Sequence, residues 1–144
     1  MPGVQSDDPT VIRSLAVHTD DVVAALEANA ARDAGAVLRV TPPFNGRMRA
    51  RLHLAGGEGA YDTDPEPIHL APERLVDDEA PPYPTPDETE DELRERGEYS
   101  TDRHREYHAE RVDTWREALR DHLVERTAVP AVAAGHDVDV LPLG

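Results

Sequence analysis

The eight residues Arg47-Met48-Arg49-Ala50-Arg51-Leu52-His53-Leu54 alternate between polar and apolar without a break. A period of two suits a pleated strand and not a helix. It puts Met48, Ala50, Leu52 and Leu54 on one face and Arg47, Arg49, Arg51 and His53 on the other. Upstream, Leu38 and Val40 alternate with Val37, Arg39 and Thr41. The two runs are joined by Pro42-Pro43-Phe44-Asn45-Gly46, whose Asn-Gly pair accepts positive φ and favours a tight reversal. Pro42 and Pro43 have no amide hydrogen, so a strand ladder must stop there or run along an edge. The spacing predicts a β-hairpin with one apolar face and one face carrying Arg39, Arg47, Arg49, Arg51 and His53.

No acidic residue falls between Ala34 and Gly57, in a chain whose formal net charge is −15. Three roles suit such a cationic ribbon. Guanidinium forks match phosphate oxygens in pairs, which would make a phosphate-binding surface. The ribbon could instead pair with carboxylates of its own chain, as runs of charge commonly do, or dock an acidic partner protein. All fifteen basic residues are arginine, against thirty carboxylates. A dense carboxylate surface keeps a protein hydrated and apart from its neighbours in concentrated salt, so the composition points to a halophilic cytosol. That habitat argues against nucleic acid as the ligand. Four phosphate contacts would lose on the order of 10³–10⁴ in affinity for a tenfold rise in salt, and Phe44 alone offers little stacking surface.

Taken in order, residues 1–10 read as a mobile leader and 11–144 as one domain with a polar, Pro- and acid-rich connector around 56–98. Val11 to His18 reads as a strand with Val11, Leu15 and Val17 on one face and Arg13 falling on that face too, or as a helical turn running into the next element. Thr19-Asp20-Asp21 caps a helix to about Arg32, with Val22, Val23, Leu26 and Ala30 inward and Gly35 at its reversal. If the first two strands are parallel, this helix crosses right-handed over the sheet. Asp62, Asp64 and Glu66 have the spacing that begins a calcium loop, but its glycine and distal glutamate are missing. A short edge strand is expected at 67–70, with a helical turn from Pro72. Thr85-Pro86-Asp87-Glu88 has the form of a capping box opening a solvated helix to about Arg96. Ser100-Thr101-Asp102 caps the longest helix, to about Arg126, whose Val112, Trp115, Leu119 and Leu123 would cover the sheet. A second hairpin around Ala134-Gly135-His136 would bring Asp137 and Asp139 to the spacing of Arg47, Arg49 and Arg51, and so opposite them.

Chemistry-bearing patterns are sparse. There is no cysteine, hence no disulfide or thiolate site. Ser6, Ser14 and Ser100 lack a nucleophile-elbow context, and no phosphate-cradling glycine motif or dinucleotide fingerprint is present. His104 and His108 stand one helical turn apart and could share a metal, given a third ligand such as His69, His122 or a carboxylate. No apolar run reaches membrane-spanning length and no signal pattern opens the chain, so a cytoplasmic protein without a membrane role is expected.

The run AGAVLRVTPPFNGRMRARLH, with DPTVIRSLAVHTDDVVAAL before it and YPTPDETEDEL after it, resembles a family of small acidic haloarchaeal proteins of unknown function. The likeness covers most of the chain and implies a habitat, with no activity, ligand or cofactor. The expected fold is α+β: a small antiparallel or mixed sheet of two hairpins and an N-terminal strand, packed against two or three helices. The expected function is a non-catalytic binding or adaptor module presenting the arginine face to a protein partner. The alternatives are an RNA- or DNA-binding module on the same face and a metal-dependent enzyme using His104 and His108.

Overall fold

The computed structural model describes residues 6–54 and 66–144. Residues 1–5 of the expected leader and the Asp62/Asp64 pattern lie outside the described residues, while Ser6 pairs with Phe44 and Pro9–Val11 forms a 3-10 turn. In chain order the elements are β1 (Ser14–His18), α1 (Thr19–Arg32), β2 (Ala36–Val40), β3 (Arg47–Leu54), β4 (Ile68–Leu70), α2 (Pro86–Glu95), α3 (Thr101–Leu119), β5 (Arg126–Ala128) and β6 (Asp137–Leu143). The fold is α+β, with a six-stranded mixed sheet in the order β4-β2-β3-β1-β6-β5. The chain divides into two compact units; the second is Asp78–His122, and the first contains every strand together with α1.

In the first unit the arginine ribbon forms as expected: β2 and β3 are antiparallel, with Arg39 opposite Arg51 and Leu38 opposite Leu52. The N-terminal strand enters beside it. β1 runs parallel to β3 on one side and to β6 on the other. Since β2 opposes β3, β1 and β2 run in opposite directions with β3 between them. The helix joining them is therefore not the crossover of a parallel strand pair.

One face of this sheet is the core. Leu15, Val17, Leu38, Val40, Ala50 and Val140 are buried there with Val22, Ala25 and Ala28 of α1. The buried stripe of α1 runs through Ala25 and Ala28, while Ala30 is exposed and Leu26 half-buried. The helix ends at Asp33, which takes the left-handed conformation at φ 51°, two residues before Gly35 at φ 68°. Asn29 splices this end to the sheet. Its amide donates to the Ala36 carbonyl at 3.0 Å, and its Oδ1 accepts from the Ala36 N–H at 2.6 Å. Asn29→Ala would strand both groups in a partly buried place, at an expected cost of about 1–3 kcal/mol, measurable by urea denaturation.

The apolar face of β3 is only half covered. Ala50 is buried and Met48 half-buried, but Leu52 and Leu54 are 37% and 50% exposed. Pairing with β1 ends at Ala50. Beyond it the Leu52 N–H meets the Asp21 carboxylate in the first turn of α1, at 3.5 Å.

In the second unit, Thr85 caps α2 by accepting from the Glu88 N–H, and Ser100 caps α3 by accepting from the Arg103 N–H. Both caps stand where the sequence put them. Trp115, expected in the sheet's core, is buried within this unit: its ring meets Tyr83 edge-on at 5.0 Å, and its indole N–H donates to the Pro81 carbonyl at 3.0 Å. The Pro-rich connector is thus packing surface for the indole. α3 is also shorter than expected. It ends at Leu119 with a 3-10 turn over Arg120–His122, because the next residues serve the first unit: Leu123 bridges Val76, and the Val124 N–H donates to the Leu75 carbonyl.

Candidate functional site

The face of the sheet opposite α1 gathers the arginines. On a strand pair, residues directly opposite share a face. Arg51 therefore lies beside Arg39, and Arg39 beside His69 of β4. Arg47, Arg49 and His53 follow on β3, at alternate positions from Arg51. Arg47, Arg49 and Arg51 are exposed, while Arg39 and His53 are half-buried. The Arg39 guanidinium lies 3.4 Å from His53 Nε2, and the His53 and His69 rings stack with centroids 5.5 Å apart. All five residues expected of the site share one surface, and His69 joins them. The sequence pattern missed His69 because its three-residue strand is too short to show a period.

The carboxylates expected to answer the arginines are elsewhere. β1 lies between β3 and β6, so Ser14 stands where a charge pair was anticipated, with Arg47 on one side and Asp139 on the other. Asp139 instead accepts from Arg126 of β5, at 2.6 Å. Among the described residues, Arg47, Arg49 and Arg51 have no carboxylate within ion-pair distance. Close to them the surface sinks into an open depression of about 500 Å³, lined by Arg39, Thr41, Pro42, Met48, Arg49 and Arg51. Phe44, the one phenylalanine considered for stacking, is 1% exposed and belongs to the core.

His104 and His108 sit on α3 in the second unit. Both reach the fully buried Thr89 hydroxyl of α2, at 2.9 Å and 3.0 Å. His104 Nε2 also lies 3.0 Å from the Pro86 carbonyl. A carbonyl only accepts, so that nitrogen carries a hydrogen here, and Thr89 can donate in turn to Nδ1 of a neutral His108. The pair ties α2 to α3. Among the described residues no three His, Cys, Asp or Glu side chains are grouped to hold a metal ion. His69, one of the third ligands considered, stacks on His53 in the first unit.

A family model, Domain of unknown function (DUF8009), matches residues 1–144. The chain belongs to the DUF8009 family. No curated protein and no solved structure matches it. Among the described residues of this DUF8009 chain, no helix is long and apolar enough to cross a membrane.

His108 is expected to make the second unit of the DUF8009 domain sensitive to acid. Burial, then the charges of His104 and Arg111, hold the His108 pKa below its ordinary value. A histidine whose folded pKa is lowered contributes stability that is complete above its unfolded pKa, about 6.5, and is lost as pH falls through the folded value. Trp115 fluorescence reports this unit selectively. Its melting temperature is expected to fall on acidification below about pH 6.5, and to fall less in His108→Asn. An equal fall in both proteins would show that His108 is not the cause.

Proposed function

We propose that this protein is a non-catalytic binding or adaptor module of a salt-rich cytosol. Its arginine-bearing sheet face takes an acidic polypeptide segment of a partner protein. One observation carries the reading. In a chain with twice as many carboxylates as arginines, Arg47, Arg49 and Arg51 are exposed together without a carboxylate partner among the described residues. Arg39 and Arg51 stand directly opposite one another, an arrangement of like charges that opposes folding. Three exposed guanidiniums on one strand face, with no carboxylate partner among the described residues, support a place kept for a ligand. Charge complementarity names its chemistry as anionic, and the strand presents guanidiniums at alternate residues, a spacing that suits an extended acidic chain.

Nucleic acid is the second reading, favoured by the His53–His69 stack at the edge of the same face. Against it, those rings engage each other and Phe44 is buried. Titration with an oligoglutamate peptide and with a single-stranded oligonucleotide separates the two. The peptide is expected to bind, and Arg47→Gln/Arg49→Gln/Arg51→Gln to weaken it by about 10–100-fold, at several tenths to one kcal/mol per contact. Oligonucleotide binding with a steep salt slope and no peptide binding would transfer the face to the second reading.

A further inference from the structure

We infer that the depression at the mouth of the arginine hairpin is a separate small-ligand site that takes a polyphosphate group. The inference goes beyond the acidic-partner reading, although the two share Arg39, Arg49 and Arg51. Its origin lies in the sequence. The β2–β3 ladder is registered as far as Arg39↔Arg51, while β3 remains paired with β1 from Arg47 to Ala50. Beyond Val40 the chain enters Pro42 and Pro43, which have no N–H to continue the ladder. The strand therefore departs from β3, and Phe44 is carried down into the core, where its N–H and carbonyl both pair with Ser6 at 2.7 Å. The gap left between the departing strand and β3 is the depression.

At about 500 Å³ it falls within the range of small-molecule sites. Its lining says what it would read. Arg39, Arg49 and Arg51 bring three guanidinium forks and Thr41 a hydroxyl, while Pro42 and Met48 add apolar wall. Among the described residues its lining has no carboxylate to repel an anion, no aromatic ring to stack a base, and no Asn or Gln to recognise a base edge. The exposed forks of Arg49 and Arg51, with Arg39 beside them, match successive phosphoryl groups better than one carboxylate at a time. The site should therefore recognise the phosphate chain and be indifferent to what is attached to it. A ligand there would also displace an acidic segment from Arg49 and Arg51.

Isothermal titration of the intact protein tests this, in a buffer where circular dichroism shows the fold retained. Inorganic tripolyphosphate and ATP are expected to bind with similar affinity, within about threefold. Arg49→Gln and Arg51→Gln should each weaken both by about tenfold or more, with Arg74→Gln, an exposed arginine outside the depression, leaving them unchanged. Three results would overturn the inference: no binding of tripolyphosphate, binding of ATP alone, or equal loss in Arg74→Gln, which would mark diffuse attraction. Oligoglutamate binding without tripolyphosphate binding removes this site and leaves the acidic-partner reading. The reverse removes that reading and leaves the site.

Discussion

Phe44→Ala is expected to cost the first unit about 3–5 kcal/mol. The ring is 1% exposed and sits in the continuous core with Ile12, Leu15, Val40 and Val138. Truncation removes the transfer energy of the ring and leaves a cavity that a sheet pinned on both sides cannot close. The effect should appear as a lower urea midpoint with little change in slope. The two units need separate probes, because a single transition is not assured for such a chain. Trp115 reports the second unit, so backbone circular dichroism in the strand region must report the first. A loss below about 1 kcal/mol would mean that the loop repacks around alanine. Phe44 also anchors the Pro42–Gly46 loop, so affinity at the hairpin mouth should fall with stability.

The second large effect is on binding and leaves folding alone. Arg47→Gln/Arg49→Gln/Arg51→Gln removes three exposed guanidiniums that have no carboxylate partner among the described residues. Substitutions of that kind usually change stability by a few tenths of a kcal/mol each. Loss of the like-charge opposition between Arg39 and Arg51 works in favour of the fold. Three more units of net negative charge work against it. The sum is expected within about 1 kcal/mol of the parent, while the oligoglutamate affinity falls by about 10–100-fold. A variant destabilised by more than about 2 kcal/mol would show that the arginines serve the fold.

Much of this architecture was legible in local patterns. The period of two at Arg47–Leu54, the caps at Thr85 and Ser100, and the edge strand before Pro72 each depend on neighbours within a few residues, and each stands where expected. What failed depended on long-range order. The spacing of Asp137 and Asp139 matched the arginines, but β1 separates the two hairpins, and no local pattern states which strand lies between two others. The stripe of α3 correctly marked Val112, Trp115 and Leu119 as buried, yet a stripe does not name its partner, and the indole found the Pro81–Tyr83 connector. Leu123 continued the helical period but left the helix for a bridge to Val76. Leu52 and Leu54 kept the strand's alternation but are exposed, beyond the end of the ladder to β1 at Ala50. For the candidate site, its cations were visible as a pattern, whereas the depression beside them arises from the early end of the β2–β3 ladder.

The central claim, that this face is where the protein meets an anionic partner, is tested most directly by mapping a bound probe onto the residues. In a heteronuclear NMR titration of the isotope-labelled protein with oligoglutamate, the guanidinium Nε–Hε signals of Arg39, Arg47, Arg49 and Arg51 and the ring of His53 are expected to shift together and saturate. Shifts centred on Arg103, Arg111 and the other arginines of the second unit, with the β3 signals unmoved, would contradict it.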